Sequence, residues 1–194
     1  MKKKLAYILI LLALVQFGCK EKYKSDSRNL DTEKTDELLS LIISNSSDPY
    51  TESSCISEKN KLYHVIFTTD LSNFMKTQLE IKSNDHLRMQ LELYKNYKLP
   101  KRLTLGKKII SEKEFKHFSN LAEKGNHQLF TWLDTNCKNG YLSVSKPVFN
   151  DAFDKALVTI GTICGEKCGS GETRTYEFRN GKWTIVKTEF KWIS

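Results

Sequence analysis

Two cysteines four residues apart, Cys164 and Cys168, are the residues whose type and spacing most clearly suggest chemistry. They lie in "ICGEKCGSGETRTYEF", which also contains three glycines. Closely spaced cysteines bind metals, exchange electrons with other thiols or form structural disulfides. In an extended strand, residues four apart are separated by about 13 Å, whereas a disulfide joins α-carbons about 4.4–6.8 Å apart. A disulfide therefore requires the chain to reverse direction between them, and the glycines permit that turn.

The surrounding sequence favours a structural disulfide over a metal site or a redox site. The C-x3-C spacing is one residue longer than the C-x-x-C of thioredoxin-like proteins, and no strand-to-helix pattern follows it. Arg174 stands where a dinucleotide-binding G-x-G-x-x-G motif would have its third glycine. No two histidines are at a zinc-ligand spacing, so we expect no metal or cofactor. The four histidines are His64, His86, His117 and His127.

The amino terminus predicts export. Residues 2–4 are lysines, and residues 5–15 form the apolar run "LAYILILLALV". This run has the length of a secretory signal and is shorter than the roughly 20 residues that span a bilayer. Export places the cysteines in an oxidising compartment, where disulfides are stable.

The segment after the apolar run resembles the lipobox of bacterial lipoproteins. Gly18 directly precedes Cys19, whereas Gln16 and Phe17 stand where the family usually has an aliphatic residue and a small one. The resemblance implies that Cys19 becomes the lipidated amino terminus, carrying fatty acids such as palmitate. The protein would then be membrane-anchored in the bacterial cell envelope, facing the periplasm or the cell surface. An ordinary cleaved signal, with Cys19 incidental, is the alternative.

Once Cys19 carries lipid, Cys55 and Cys137 remain as a second cysteine pair beside Cys164 and Cys168. Four cysteines allow three connectivities, and the sequence does not choose between them. A bond between Cys55 and Cys137 would connect the amino-terminal half of the domain to its carboxyl-terminal part.

The chain length and composition predict one folded domain. We assign residues 1–18 to a signal peptide, 19–34 to a flexible tether and 35–194 to a single α+β domain. The tether is predicted because residues 20–34 are almost entirely polar or charged. Removing the signal peptide lowers the formal net charge from +8 to +5. This modest charge and the lack of a nucleic-acid motif argue against binding to nucleic acid.

The amino-terminal half is predicted to contain helices. One helix is expected to begin at Thr35, and another covers residues 112–124, where residues 111–114 form a capping box. Residues 61–69, "KLYHVIFTT", are rich in aromatic and β-branched residues and predict a strand. Residues 71–97 fit both a helix and a strand, and periodicity does not decide between them.

The carboxyl-terminal part is predicted to form an antiparallel meander of four strands. "RNGK" contains Asn180 and Gly181, the dipeptide most typical of a tight hairpin turn. In the second strand, one face at period two carries Ala156, Val158, Ile160 and Cys164. We therefore predict an α+β fold, with amino-terminal helices packed on the meander. The four strands cover residues 141–149, 155–164, 172–178 and 183–193.

Residues 141–194 resemble a carboxyl-terminal module of uncharacterised bacterial envelope lipoproteins. The similarity is carried by "SKPVF", "ALV", "CGEKCGSG", "NGKW" and the terminal "KWIS". These motifs are structural in kind. The resemblance therefore implies a β-module and an envelope location, and it implies no catalytic residue.

Other residues were considered as sites. A cationic stretch could bind phosphate-bearing lipid or polysaccharide, but a solvated loop around Pro100 is the simpler interpretation. It comprises Lys95, Lys98, Lys101, Arg102, Lys107 and Lys108. His117 and His127, with Asp134, could do acid–base chemistry, although no nucleophile motif accompanies them. The tryptophans, Trp132, Trp183 and Trp192, are more often core residues than carbohydrate platforms.

These features predict a lipid-anchored binding protein without enzymatic activity. Its partners would be the membrane, through the lipid, and another protein or a surface polymer. The alternative is an envelope enzyme. Such an enzyme would be a hydrolase that uses a histidine and a carboxylate, or a thiol oxidoreductase that uses Cys164 and Cys168.

Overall fold

A computed structural model of the chain describes residues 25–59, 71–122, 128–165 and 167–193. The chain divides into two compact units, Met1–Lys34 and Thr35–Ser194. Among the described residues, no helix is both long enough and apolar enough to cross a bilayer. The predicted signal peptide and Cys19 lie outside the described residues, so their roles stay predictions.

In the first unit, residues 25–34 are helical. The sequence predicted a flexible tether over residues 19–34, and the described part of that segment forms a helix instead. A polar composition argues against burial in a core, but it does not argue against a helix, because Arg, Leu, Glu and Lys all have high helix propensity. The Thr32 hydroxyl also donates to the Arg28 carbonyl oxygen at 3.0 Å, one helical turn away. The role of this segment as a spacer stays a prediction.

Among its described residues, the second unit contains a seven-stranded sheet. The strand order is β2-β1-β3-β5-β6-β7, and β4 also pairs with β5. β1 is parallel to β2 and β3, and the other pairs are antiparallel. The predicted α+β class is therefore confirmed. The strands are β1 (Cys55–Ser57), β2 (Lys108–Ile110), β3 (Tyr141–Val144), β4 (Val148–Phe149), β5 (Lys155–Gly165), β6 (Cys168–Arg179) and β7 (Lys182–Ile193).

The predicted meander is present, with its first strand divided into β3 and β4. The hairpin between β6 and β7 closes at the pair Arg179 and Lys182. Asn180 and Gly181 between them have φ values of 53° and 76°. Positive φ at both central positions is the property of a type I′ turn, which matches the twist of the two strands.

Gly181→Val is expected to destabilise the second unit by about 1 kcal/mol or more, because a β-branched residue resists positive φ. A Cβ atom here would meet no atom within 4 Å, so the cost arises from the backbone conformation. Gly181→Asn is the matched control, since Asn tolerates this conformation and should cost less. Thermal unfolding of both variants checks the prediction, and equal melting temperatures for wild type and Gly181→Val would contradict it.

The second unit also contains helices, all of which precede β3 in the chain. Residues 71–97, which the sequence left undecided, form two helices separated by a short loop. The predicted strand over residues 61–69 lies outside the described residues. β1 and β2 were not predicted, because three residues are too few to show alternation. The helices are α1 (residues 35–44), α2 (Leu71–Gln78), α3 (Asn84–Asn96), α4 (Glu112–Ala122) and α5 (Gln128–Asn136). The prediction that a helix begins at Thr35 is wrong, because the residues directly before Thr35 are helical as well.

Side-chain caps explain where α3 and α4 begin. The Ser83 hydroxyl accepts from the His86 N–H at 3.2 Å. At α4 the predicted capping box is confirmed: the Ser111 hydroxyl accepts from the Glu114 N–H at 3.2 Å, and Glu114 Oε2 accepts from the Ser111 N–H at 2.7 Å. Both helices thus have backbone donors satisfied in their first turns.

Apolar clusters lie on both faces of the sheet. On one face, Ala156, Val158 and Ile160 of β5 pack in a cluster with Leu39 and Ile42 of α1. All five side chains are buried. This cluster is the largest of the three and also contains aromatic residues from β4, β6 and β7.

The opposite face of β5 contributes to two further clusters. Leu157 packs with Met75 of α2, and Ile163 packs with Leu133 of α5. Cys164 was predicted to share the apolar face of Ala156, but it is only half-buried and lies outside these clusters. The pairing of β5 with β6 becomes irregular between residues 163 and 165, which breaks the alternation on which that prediction depended.

Candidate functional site

Strand β7 carries the largest group of exposed apolar side chains in the described part of the chain. Seven large apolar side chains are exposed there, and four of them belong to this strand. They are Ile185 (51% exposed), Val186 (44%), Phe190 (48%) and Ile193 (89%). Single exposed apolar residues are common on protein surfaces, so four on one strand make β7 the candidate interaction site.

β7 is also an end of the sheet among the described residues. The outer backbone groups of such a strand can pair with another chain. β4 shows how this protein covers a strand edge elsewhere. Gln90 Oε1 accepts from the Phe149 N–H at 3.0 Å, and His86 Nε2 donates to the Phe149 carbonyl oxygen at 3.0 Å. Two side chains of α3 thus take the place of a neighbouring strand beside β4.

An irregularity near the middle of β7 explains why Ile185 and Val186 are both exposed. Tyr176 of β6 pairs with Ile185, and Thr175 pairs with Lys187. Val186 is therefore an extra residue without a partner position on β6. Such a bulge breaks the alternation of faces and turns neighbouring side chains outward.

A second irregularity lies near the end of β7. Gly171 pairs with Trp192 and Thr173 pairs with Glu189, so the chain between them is one residue longer in β7 than in β6. Phe190 lies at this bulge with a φ of 50°. A side chain at Gly171 would come within 2.6 Å of Trp192 Nε1, so this glycine is required for the indole to pack on β6.

Basic residues accompany the apolar ones. Lys182, Lys187 and Lys191 are exposed on β7, and Glu189 is its single carboxylate. Lys187 Nζ lies 2.8 Å from Glu189 Oε1, whereas Lys191 Nζ is 4.0 Å from Glu172 Oε2 of the adjacent strand. Both lysines are at least half exposed, so these ion pairs contribute little to stability. The edge therefore combines apolar side chains with a surplus of positive charge.

Two disulfides are present, Cys55–Cys137 and Cys164–Cys168. Their α-carbons are 5.3 and 5.1 Å apart, within the range that a disulfide requires. Cys55 and Cys137 are 0% and 3% exposed, and their bond joins β1 to the end of α5. Cys168 is exposed where β6 begins. Dissolved thiols can therefore reach the second disulfide more easily than the first.

A buried ionic cluster joins β6 to a short 3-10 turn over Pro49–Glu52. Its three charged residues are Asp48, Glu172 and Arg174, which are 7%, 8% and 6% exposed. Arg174 Nε donates to Glu172 Oε1 at 2.5 Å, and Arg174 Nη2 donates to Asp48 Oδ1 at 3.3 Å. Arg174 Nη1 also contacts the other oxygen of Asp48.

The electrostatics of this cluster are those of a structural ion pair. Burial lowers the pKa of Arg174, but hydrogen bonds to Asp48, Tyr176 and Glu172 outweigh burial, so the pKa lies above its ordinary value. The guanidinium also lies 5.3 Å from the centre of the Tyr50 ring. Because the guanidinium is engaged by two carboxylates, we interpret the cluster as a connection between segments and not as an anion-binding site.

The histidine and carboxylate considered for acid–base chemistry are not assembled in the described residues. His117 is exposed on α4 with its ring 5.7 Å from that of Phe118, and Asp134 is exposed on α5. His64 and His127 lie outside the described residues. Among the residues that are described, no group of three or more His, Cys, Asp or Glu side chains is arranged to hold a metal ion.

The cations of the predicted stretch contact different partners within this chain. Five of the six cations are exposed and Lys107 is half-buried, and four of the six contact a group of this chain. These contacts are Lys98 with Glu58 at 3.3 Å, Arg102 with Asp36 at 2.6 Å, Lys107 with the Thr51 and Ser53 carbonyl oxygens at 2.6 Å, and Lys108 with the Trp132 ring at 4.7 Å. Burial lowers the pKa of Lys107 below its ordinary value. The stretch therefore does not form one phosphate-binding surface.

The tryptophans pack against the protein. Trp183 is buried in the core beside Phe149, with ring centres 5.9 Å apart. Trp132 is half-buried against Phe118, and Trp192 is half-buried against β6. None of the three forms an exposed platform for a sugar ring.

Sequence reasoning did not find the exposed edge of β7 or the buried ionic cluster. The alternation of Glu172 and Arg174 along one strand is a local signal that could have indicated a charge pair, but Asp48 is 126 residues from Arg174 in the chain. The exposure of β7 depends on the strand order and on two bulges, neither of which has a local sequence signal.

Comparisons with known proteins identify no relative of this chain. No family model matches the chain, and neither a curated protein nor a solved structure matches it. The resemblance to envelope lipoproteins therefore stays a prediction. A functional interpretation must depend on the geometry of the described residues.

Proposed function

We propose that this protein is a lipid-anchored protein of the bacterial cell envelope that binds another protein and has no enzymatic activity of its own. The observation that carries the proposal is the exposed apolar edge of β7, where four large apolar side chains accompany a strand that ends the sheet within the described part of the chain. Backbone groups at a strand edge recognise another polypeptide backbone, which favours a protein partner over a surface polymer. The lipid anchor is supported by the sequence around Cys19.

A thiol oxidoreductase is the second candidate, and one observation favours it. Cys168 of the Cys164–Cys168 disulfide is exposed at the start of β6. Against it, the disulfide joins the end of β5 to the start of β6, whereas reactive cysteines are often activated by a helix amino terminus. The Cys164→Ser/Cys168→Ser variant separates the two functions, because a binding protein should keep its partner and an oxidoreductase should lose its activity.

The test is site-specific photo-crosslinking of the full chain in its native envelope. A photoreactive residue at Val186 is expected to capture one defined protein. The matched control carries the same group at Leu105, which is 53% exposed and lies far along the chain from β7. Cys19→Ala should release the protein from the membrane and abolish the cross-link. Equal cross-linking patterns from Val186 and Leu105, or retention of Cys19→Ala in the membrane, would contradict the proposal.

A further inference from the structure

The inference concerns the chemistry of the segment that occupies the β7 edge, and it rests on the proposed function. We infer that the occupant is an extended acidic segment of a partner protein, added to the sheet as a further strand beyond β7. The hydrogen bonding, the apolar contacts and the charge of β7 together select such a segment.

The backbone of β7 requires a partner that can form strand-like hydrogen bonds. Twelve residues, Lys182–Ile193, form the strand, and β6 occupies one side of it. Strand addition uses the outer N–H and C=O groups of such an edge and tolerates many side chains in the partner. An extended segment satisfies these groups, whereas a helix or a sugar polymer cannot pair with them in the same regular way.

The exposed apolar side chains of β7 require apolar side chains in the partner. Ile185 pairs across from Tyr176, so it lies on the face of the largest apolar cluster. Phe190 lies near the opposite face, where its ring contacts that of Phe74 at 5.0 Å between centres. A partner strand would therefore cover apolar surface on both faces of β7. This arrangement calls for apolar side chains in the partner opposite residues 185–186 and 190.

The charge selects among extended segments. Lys182, Lys187 and Lys191 stand against the single carboxylate Glu189 on this strand. A second copy of β7 would bring three more lysines to the same interface, and like charges opposite each other destabilise a strand pair. An acidic strand would place carboxylates opposite the lysines. The charge pattern therefore favours an acidic partner over a second copy of this chain.

The experiment uses the full purified chain and a synthetic peptide, Thr-Glu-Val-Thr-Thr-Glu-Val-Val-Thr. Read antiparallel to β7, it places glutamates opposite Lys187 and Lys191 and valines opposite the apolar residues. Fluorescence anisotropy of the labelled peptide should show binding that is at least about tenfold tighter than that of the same peptide with both glutamates changed to lysine. Raising the NaCl concentration from about 0.05 to about 0.5 M should weaken the binding.

Two controls test strand addition and location. A peptide with N-methyl groups on alternate backbone amides keeps its side chains and loses its hydrogen bonds, so it should bind at least about tenfold more weakly. Lys187→Glu/Lys191→Glu should reverse the preference in favour of the lysine peptide. Lys95→Glu/Lys101→Glu changes the net charge equally at exposed positions away from β7 and should leave the preference unchanged.

The outcomes separate this inference from the proposed function. If the lysine peptide binds as tightly as the acidic peptide, the inferred acidic character of the partner is wrong. If the N-methylated peptide binds as tightly as the unmodified acidic peptide, the inferred strand addition is wrong. Concentration-dependent dimers in sedimentation that disappear in the Val186→Lys variant would identify a second copy as the occupant and would also overturn it. If Val186 captures a protein in the envelope while the acidic peptide does not bind, the proposed function holds and only this inference fails.

Discussion

Replacing both cysteines of the buried disulfide, Cys55→Ala/Cys137→Ala, is expected to lower the free energy of unfolding by about 4–5 kcal/mol. The two cysteines are 82 residues apart in the chain, so their bond restricts the unfolded state strongly. Both side chains belong to the apolar cluster that also contains Ile110 and Phe115. The bond thus fixes β1, the second strand from one end of the sheet, to the end of α5.

The matched control is Cys164→Ala/Cys168→Ala, because that disulfide closes a loop of only a few residues. The same chain-entropy argument gives a loss of about 2 kcal/mol for it. Denaturant unfolding of both variants and of wild type, without reductant, measures the difference. A loss from the short loop equal to or greater than the loss from the long one would contradict this explanation of what the disulfides contribute.

The fold was predictable where the sequence carries a local signal. The Asn180–Gly181 turn and the capping box at Ser111 and Glu114 were correctly predicted because their geometry depends on residues within one turn of each other. The meander followed from alternation in long strands. Residues 71–97 remained ambiguous in the sequence because a short amphipathic helix and a short strand can share apolar positions, and the caps and tertiary packing decide.

The candidate site was less predictable because it depends on contacts between distant segments. Whether β7 is an edge strand depends on which strands lie beside it, and the exposure of Val186 depends on a bulge. The presence of four cysteines that could form two disulfides was, in contrast, evident from the sequence. Their connectivity was not, since the approach of Cys55 to Cys137 follows from the packing of α5 against the sheet.

The buried ionic cluster and the β7 edge lie on adjoining strands. Glu172 belongs to the cluster and also faces Lys191 of β7 at 4.0 Å. Arg174 pairs across from Thr188 of β7. The cluster therefore helps to fix the position of β6, the strand with which β7 pairs. A loss of the cluster would affect both the stability of the domain and the shape of the proposed binding edge.

Arg174→Met is expected to destabilise the domain by about 3–5 kcal/mol, because it leaves two buried carboxylates without their cation. Arg179→Met is the matched control, since Arg179 is on the same strand but 68% exposed, and it should change stability by less than about 0.5 kcal/mol. The triple variant Asp48→Asn/Glu172→Gln/Arg174→Met removes the uncompensated charges and should recover much of the loss. Denaturant unfolding at neutral pH measures all three, and a loss from Arg174→Met no larger than that from Arg179→Met would show that the cluster does not hold the 3-10 turn to β6.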